Sequence, residues 1–281
     1  MSPTSYRLLY PAMWIAKVQN LLIFASMKIN NLEKFLAKVR AGQCPLGGCV
    51  SFSDPAVTEV VAEAGFDFVF IDGEHGEIDR NTAMQHLMAV RGTDCASFYR
   101  VPACDHTEIK KVIDFCPAGI IVPMVMNAEQ AALAIAAMRY PPEGNRGCGF
   151  RRGLGYGVED MDSYWEASAH DPLVILQIEH IDAVRDLDRI LALPGLDSVL
   201  VGPYDLSASM GKAGQWDDPE VKAAYDEVAR KAKAAGVLLG VSLEVEYAAW
   251  KRRGVDYMAV RSDTGAMIEG FRHAIRAFRE A

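Results

Sequence analysis

The sequence predicts a single α/β domain with the architecture of a (β/α)8 barrel, known as a TIM barrel. The chain has 281 residues, a length that such barrels often reach as one domain. Short apolar segments alternate with longer segments of helical period, which is the pattern of strands and helices around a parallel sheet. A dinucleotide-binding fold is disfavoured, because no G-x-G-x-x-G sequence joins an early strand to a helix.

Eight segments are predicted to be strands because each is short, apolar and typical of β structure. They cover residues 46–52, 66–72, 96–101, 119–124, 173–179, 197–202, 237–242 and 256–262. Helices are predicted over 54–65, 105–116 and 127–139, where apolar residues recur at spacings of three and four and the first residue is Asp or Asn, preferred N-caps. The glycine-rich segment 144–157 follows no strand and is predicted to be a long loop.

Residues 1–26 are predicted to be an extension outside the barrel. Their apolar segment is interrupted by polar residues, so it is too short for a membrane span and a poor signal peptide. Two interpretations stay open: an appended, partly helical arm, or translation from Met27, where an amphipathic segment begins. On either interpretation, residues 27–281 form the barrel.

The charge and the cysteines limit the kind of partner. A formal net charge of -8 disfavours nucleic acid, because binding phosphates needs a clustered basic surface, and no membrane partner is expected. The six cysteines are scattered without a C-x-x-C pair, which disfavours both a disulfide framework and a zinc ribbon. We therefore expect reduced thiols, a cytoplasmic location and a small-molecule substrate.

Polar side chains recur where the predicted strands end. In a (β/α)8 barrel the reacting groups come from the carboxyl ends of the strands, because the loops there form the open mouth. The polar residues at or just beyond these ends are Asp72, Glu74, His75, Arg100, Gln177, Glu179, Asp205 and Asp263. We therefore expect them to converge at one end of the barrel.

Glu179 and Asp205 are predicted to hold a divalent metal ion. Two carboxylates, completed by water and substrate oxygens, satisfy Mg²⁺ or Mn²⁺. A bidentate 2-oxo acid could fill two open positions, and the metal would act as a Lewis acid on the ketone oxygen. The alternatives are that Asp205 caps the following helix and that Glu179 pairs with an arginine.

Arg100 and His75 are predicted to act on the bound substrate. The guanidinium of Arg100 keeps its charge and could stabilise the same ketone oxygen. His75 is the predicted acid or base because imidazole titrates near neutrality, with Asp72 or Glu74 orienting its ring. Each residue taken singly has a structural alternative, an ordinary buried histidine or an arginine in an ion pair.

Several motifs together resemble the HpcH/HpaI family of class II pyruvate-dependent aldolases, close to 4-hydroxy-2-oxoheptane-1,7-dioate aldolase and 2-dehydro-3-deoxyglucarate aldolase. They are FVFIDGEHGEID (68–79), YRVPACDHTEIKKVIDFCPAGIIVPMVMNAEQA (99–131), RYPPEGNRGCG (139–149), ILQIEHIDAV (175–184) and VGPYDLSASMG (201–211). The resemblance extends from about Met27 to the C terminus. It implies a barrel of the phosphoenolpyruvate/pyruvate superfamily that reversibly cleaves a 4-hydroxy-2-oxo acid to pyruvate and an aldehyde through a metal-stabilised pyruvate enolate.

The resemblance also implies which residues hold the metal and pyruvate. Glu179 of the QIE motif and Asp205 of the GP-x-DLS motif would hold the cation, with Mg²⁺, Mn²⁺ and Co²⁺ as candidates. Gln177 would contact pyruvate or a metal-bound water. The pyruvate carboxylate would lie on the backbone around Gly202, Pro203 and Tyr204, since a helix N-terminus favours an anion.

The remaining catalytic roles follow from the same resemblance. Arg100 would polarise the pyruvate ketone, and His75, supported by Asp72, would deprotonate the hydroxyl whose ionisation starts cleavage. Asp114 matches an aspartate that the family supplies across a subunit interface. The resemblance further implies a homo-oligomer, a hexamer of dimer pairs, in which the last helix (265–281) packs on a neighbour, although its apolar spacing would also suit packing on its own barrel.

The aldehyde is left open by the sequence. Ser242 stands where the long-chain diacid aldolases carry a leucine in the aldehyde pocket, and a smaller polar wall would favour a different, hydroxylated aldehyde. Arg151 and Arg152 could recognise a distal carboxylate or phosphate, or could be a solvated pair on the 144–157 loop.

Two other functions are weighed against the aldolase. A citramalyl-CoA or malyl-CoA type lyase of the same superfamily would form an acyl-CoA enolate, but no basic, adenine-accommodating segment is evident in the sequence. A non-catalytic barrel that binds a 2-oxo acid is compatible with the fold. The joint presence of His75, Arg100 and the two predicted metal ligands disfavours it, because binding alone does not need an acid or base beside the metal.

Overall fold

The eight predicted strands form a closed parallel barrel in chain order. The structure, a computed structural model, describes Met27 and residues 29–281; the predicted extension, residues 1–26, lies outside the described residues. The strands are β1 (Leu46–Val50), β2 (Phe68–Asp72), β3 (Ala96–Arg100), β4 (Gly119–Val122), β5 (Leu173–Ile178), β6 (Ser198–Val201), β7 (Leu238–Ser242) and β8 (Tyr257–Ser262). The predicted fold class is confirmed, and each predicted strand overlaps its counterpart.

Helices connect the strands on the outside of the barrel. In the described part of the chain they are α1 (Leu32–Arg40), α2 (Pro55–Glu63), α3 (Arg80–Ala89), α4 (His106–Ile113), α5 (Ala128–Met138), α6 (Met161–Ser168), α7 (Ile181–Arg185), α8 (Leu187–Leu191), α9 (Pro203–Ser209), α10 (Pro219–Ala235), α11 (Tyr247–Arg253) and α12 (Asp263–Glu280). None of these helices combines the length and apolar character that crossing a bilayer requires.

The three predicted helices begin where their capping residues indicate. Asp54, Asp105 and Asn127 each have extended backbone, and their side chains accept hydrogen bonds from amides in the first turns of α2, α4 and α5. These bonds satisfy N–H groups that have no partner within the helix. The helix starts fix where each strand end gives way to the loop above it.

Helix α1 closes the N-terminal end of the barrel. Its Phe35 ring lies 5.8 Å from Phe68, 4.9 Å from Phe98 and 5.4 Å from Tyr257, measured between ring centroids. All four rings are buried, and edge-to-face contacts of this kind stabilise a core beyond their area burial. The opposite end, where the strands finish, is left as the mouth.

Candidate active site

The strand ends bring the predicted polar residues to one mouth. β2 ends at Asp72 and β3 at Arg100, and these two residues are Cα partners across the sheet. Glu179 directly follows β5, and Asp205 lies in the first turn of α9, directly after β6. The negative charge of Asp205 helps to raise the pKa of Glu179, so the two carboxylates lie close enough to interact at the mouth.

Arg100 is held by two acids. Its Nε and Nη2 donate to Oδ1 and Oδ2 of Asp72 at 2.9 and 2.7 Å, and its Nη1 lies 2.9 Å from Oε2 of Glu74. Burial alone would raise the pKa of Asp72, but the hydrogen bonds and charge of Arg100 outweigh it and lower that pKa. The guanidinium is therefore a fixed positive charge at the base of the mouth.

Of the two acids predicted to orient the His75 ring, Glu74 and not Asp72 lies beside it. The Asp72 carboxylate accepts hydrogen bonds from the backbone N–H groups of Glu74 and His75, at 3.0 and 3.2 Å. Its other hydrogen bonds come from the guanidinium of Arg100. The imidazole is 66% exposed, with Nε2 lying 3.8 Å from Oε2 of Glu74. Asp72 thus supports His75 through the loop backbone and not through the ring, because the paired arginine already occupies both carboxylate oxygens.

Glu179 is buried among groups that hold its two oxygens. Oε1 accepts the backbone N–H of Met124 at 2.7 Å, and Oε2 accepts a hydrogen bond from Nε2 of Gln177. Burial raises the pKa of Glu179 to about 7, and the negative charges of Glu74 and Asp205 add to the rise. The alternative interpretation expected an arginine beside Glu179. The hydrogen-bond partners of its carboxylate are instead the backbone amide of Met124 and the side chain of Gln177.

The residues around Glu179 fit a hard divalent cation. The buried Oε1 of Gln177 has no hydrogen-bond partner among the described residues, and a buried polar atom of this kind is seldom left unsatisfied. A Cβ at Gly202 would lie 2.6 Å from Oε2 of Glu179, so only glycine leaves this space open. Gly202, and not Asp205, is the N-cap of α9, which leaves the exposed Asp205 carboxylate available as a second ligand.

The oxygen donors at this point are those that Mg²⁺ and Mn²⁺ prefer. No group of three or more His, Cys, Asp or Glu side chains within the described residues is placed to hold a metal. Glu179 and Asp205 are the two carboxylates that would hold such an ion, with substrate or water oxygens completing its coordination.

Met124 is a site residue that the sequence did not reveal. It follows β4 with a φ of 51°, in the left-handed region that non-glycine residues seldom adopt, and this conformation directs its N–H at Glu179. The segment 119–124 was predicted to be strand throughout. Nothing in its composition distinguishes a backbone that turns toward a ligand from one that continues in the sheet.

Asp114 does not lie with the other predicted site residues in the same chain. It is the C-cap of α4, a helix that starts beyond β3 at the mouth and returns to the closed end before β4. Its Oδ1 lies 3.4 Å from Nη2 of the buried Arg146. An intrachain role at the mouth is therefore ruled out by position.

The predicted loop 144–157 has neither helix nor strand and also lies at the closed end. Its Phe150 packs with an aromatic and apolar cluster that includes Met27 and Cys116. Arg152 is buried and donates to backbone carbonyls of Phe115 and Leu87, so its predicted availability for a ligand is wrong. Arg151, the other predicted arginine, is exposed on the same loop, away from this chain's own mouth.

Two further predicted residues stand at the mouth. Ser242 ends β7 and is half-buried, in a position to line a pocket above the strands. Tyr204 is 54% exposed in the first turn of α9, where its ring packs edge-on against Trp216 at 5.1 Å between centroids.

Comparison with known proteins agrees with this architecture. Residues 49–269 match the sequence model of the family described as HpcH/HpaI aldolase/citrate lyase. A 5-keto-4-deoxy-D-glucarate aldolase from Klebsiella pneumoniae is 36% identical over 254 residues, which cover 88% of this chain and 97% of that protein. A hydroxypyruvate/pyruvate aldolase from Agrobacterium fabrum is 34% identical, covering 87% and 91%.

A solved structure gives the same result for the fold. The crystal structure of an HpcH/HpaI aldolase from Desulfitobacterium hafniense superposes with a TM-score of 0.80 at 27% sequence identity, covering 87% of this chain and 96% of that one. The resemblance recognised from the sequence motifs is thereby confirmed. The chain belongs to the HpcH/HpaI aldolase/citrate lyase family, and it is a lyase with a (β/α)8 barrel.

Proposed function

We propose that this protein is a divalent-metal-dependent aldolase that reversibly cleaves a 4-hydroxy-2-oxo acid to pyruvate and an aldehyde. The observation that carries the proposal is the arrangement around Glu179. This buried carboxylate lies beside a second acid and the amide oxygen of Gln177, which has no hydrogen-bond partner in the described part of the chain, in the same mouth as the fixed guanidinium of Arg100. Such a site attracts a cation and then an anionic 2-oxo acid.

The residues divide into holders of the cofactor and holders of the substrate. Glu179 and Asp205 would bind the ion, with the amide oxygen of Gln177 facing it or a bound water. When bound, Mg²⁺, Mn²⁺ or Co²⁺ would supply Lewis-acid stabilisation of negative charge on the ketone oxygen. Arg100 contributes a second positive charge at that oxygen, and it need not reorganise because Asp72 already fixes it. The carboxylate site implied at Gly202, Pro203 and Tyr204 stays a prediction.

His75 would perform the proton transfer. Its exposed ring stands on the loop above Arg100 and would accept the proton of the substrate's 4-hydroxyl group. The C3–C4 bond then breaks as the C4 oxygen becomes the carbonyl of the departing aldehyde, and the electron pair of that bond forms the C2–C3 double bond of the pyruvate enolate. A proton from solvent, added at C3, completes pyruvate. In the reverse direction His75 returns the proton to the new alkoxide.

The proposed aldehyde is small and hydroxylated. The relatives from Klebsiella pneumoniae and Agrobacterium fabrum are named for 5-keto-4-deoxy-D-glucarate and for hydroxypyruvate/pyruvate. The polar Ser242 at the end of β7 is compatible with an oxygen-rich chain of this kind. These relatives add no support for the acyl-CoA lyase or the binding-only barrel.

A homo-oligomer is part of the proposal. Helix α12 leaves a row of large apolar side chains exposed, and an apolar face of this length on one helix marks an interaction surface. The row is Met267, Ile268, Phe271, Ile275 and Phe278, which are between 44% and 85% exposed. We propose that a neighbouring subunit covers this face. That Asp114 serves the mouth of another subunit, and that the assembly is a hexamer, stay predictions from the family resemblance.

The proposal is tested by a cleavage assay. Purified protein is incubated with racemic 4-hydroxy-2-oxo acids that differ in chain length and hydroxylation, and pyruvate release is followed with Mg²⁺, with Mn²⁺ and with a chelator. We expect release that requires the metal and is lost in Glu179→Gln. Release that continues in the chelator, or no release from any substrate by folded protein supplied with metal, would contradict the proposal.

A further inference from the structure

Within the part of the chain that the structure describes, the imidazole of His75 makes no hydrogen bond. Among the described residues, its nearest charged neighbour is Oε2 of Glu74 at 3.8 Å, and the side chain is 66% exposed. The position of the imidazole therefore depends on the backbone of residues 73–77, the loop that carries it.

This loop is tied on one side to β3. The N–H of Gly73 donates to the Arg100 carbonyl at 3.0 Å, and Asp72 accepts the N–H groups of Glu74 and His75. These bonds fix the start of the loop. They do not involve the residues that follow His75, whose position depends on other contacts.

On its other side the loop rests on Ser51, directly beyond β1. The N–H of Glu77 donates to the Ser51 carbonyl at 2.9 Å. Gly76 packs so closely there that a Cβ would lie 2.9 Å from the same carbonyl oxygen. The position of Ser51 therefore sets how far the loop can move toward or away from Arg100.

Ser51 is in turn held by Asp263, directly after β8. Oδ2 of Asp263 accepts the N–H groups of Ser51 and Phe52 at 2.8 and 3.1 Å, and Oδ1 accepts the Ser51 hydroxyl at 2.9 Å. Asp263 is 5% exposed, and its Oδ1 also accepts the N–H of Thr264 at 2.7 Å. One buried carboxylate thus connects β8 to the β1 segment on which the His75 loop rests.

We propose that Asp263 is a positioning residue for His75, acting through Ser51 and the backbone of residues 73–77. The inference rests on the proposed function, in which His75 accepts the 4-hydroxyl proton. A displacement of about 1 Å in a catalytic group can cost about 100-fold in rate. The carboxylate therefore contributes to the proton-transfer step without touching substrate or metal.

A merely structural role, closing the barrel between β8 and β1, predicts a different outcome. It would lower every activity of the site together, in proportion to the loss of folded protein. A positioning role lowers only the step that needs His75. Oxaloacetate separates the two, because loss of CO₂ breaks its C3–C4 bond and gives the same pyruvate enolate with no hydroxyl proton to remove.

The test compares two rates in each variant: aldol cleavage and oxaloacetate decarboxylation, the latter corrected for metal alone. In Asp263→Ala we expect cleavage to fall by about 10- to 100-fold while decarboxylation stays within about twofold. Asp263→Asn, which keeps one acceptor, should show the same effect more weakly and serves if the alanine variant folds poorly. Amide hydrogen exchange of residues 73–78 should become faster in Asp263→Ala, a readout independent of activity.

Asp256→Ala is the matched control. Asp256 immediately precedes β8, at the opposite end of that strand from Asp263, and its carboxylate accepts the N–H of Leu239 at 2.8 Å. It should lose stability without changing the ratio of the two rates. An unchanged ratio in Asp263→Ala, or both rates falling together, overturns the inference alone. Wild-type protein that performs neither reaction overturns the proposed function and this inference with it.

Discussion

Arg100 and Asp72 face each other across β2 and β3 and form two parallel hydrogen bonds, at 2.9 and 2.7 Å. The pair is buried, and the third nitrogen of the guanidinium, Nη1, lies 2.9 Å from Glu74. This geometry explains how an arginine can stand ready beside a substrate oxygen with little freedom to reorient. It also explains why Asp72 is unavailable to the imidazole of His75.

Replacing Arg100 by lysine should remove this preorganisation while keeping the charge. A lysine ammonium cannot reproduce the two-bond fork, so we expect kcat/KM for cleavage to fall by about 100-fold or more. The measurement is steady-state kinetics alongside the unfolding temperature. Arg139→Lys is the matched control, since Arg139 pairs with the buried Asp197 at 2.9 Å near the closed end. That variant should lose stability and keep its activity; equal kinetic losses in both would show that charge placement at Arg100 has no special role.

Glu179 links metal binding to stability. Burial raises the pKa of Glu179 to about 7. The protonated carboxyl therefore stabilises the folded state fully below about pH 4, and this stabilisation is lost as the pH rises through 7 and the group ionises. At pH 8 the ionised group costs the metal-free protein about 3 kcal/mol. We therefore expect Glu179→Gln to unfold at a higher temperature than the metal-free wild type at pH 8, with the difference shrinking toward pH 5.

The same variant should lose the stabilisation that added Mg²⁺ or Mn²⁺ gives the wild type, because a ligand that binds only the folded state raises the unfolding temperature. Glu63→Gln, at an exposed position on α2, is the control and should change neither quantity. A metal-dependent rise of equal size in Glu179→Gln would remove Glu179 from the ligand set.

Asp114 offers a test of shared active sites. If it serves a neighbouring subunit, Asp114→Ala and His75→Ala should each be inactive in cleavage, yet mixed oligomers should regain activity, because some sites then contain both native residues. The two variants are co-expressed with different tags, the mixed species is purified, and pyruvate release is measured. A mixture no more active than its parents would contradict the shared site.

The exposed face of α12 should control assembly. Phe271 is 62% exposed, so Phe271→Glu leaves the fold of one chain nearly undisturbed but places a charge where a neighbour is proposed to pack. We expect light scattering during gel filtration to show smaller species than the wild type. Leu133→Glu is the control, at a 67% exposed position on α5, and it should assemble normally. Wild-type protein that is monomeric would contradict the proposal that a neighbouring subunit packs on α12.

The fold was largely accessible from the sequence because its signals are local. Apolar β-type segments of limited length marked all eight strands, and Asp54, Asp105 and Asn127 marked helix starts through hydrogen bonds made within three residues. The direction of a strand then dictates which polar residues reach the mouth. For this reason Arg100, Glu179 and Asp205 were predictable as neighbours before any distance was known.

The contacts within the site were less accessible because they depend on register and on backbone geometry. The sequence left Asp72 and Glu74 open as partners of the His75 ring. The parallel register sets Asp72 opposite Arg100, whose guanidinium occupies both carboxylate oxygens, and the ring lies nearer to Glu74. The left-handed Met124 and the buried Arg152 have no local signature either. Both are set by what surrounds them in space.

Glu179 and Asp205 would hold a divalent metal ion, which would supply Lewis-acid stabilisation of the pyruvate enolate. The most direct measurement is loss of the pyruvate methyl proton signal by NMR in D₂O, with Mn²⁺ or Mg²⁺ and then with a chelator. We expect exchange that requires both the metal and Glu179, with the Glu179→Gln protein matching the metal-only background. Folded, metal-loaded wild-type protein that leaves the methyl signal unchanged would contradict this expectation.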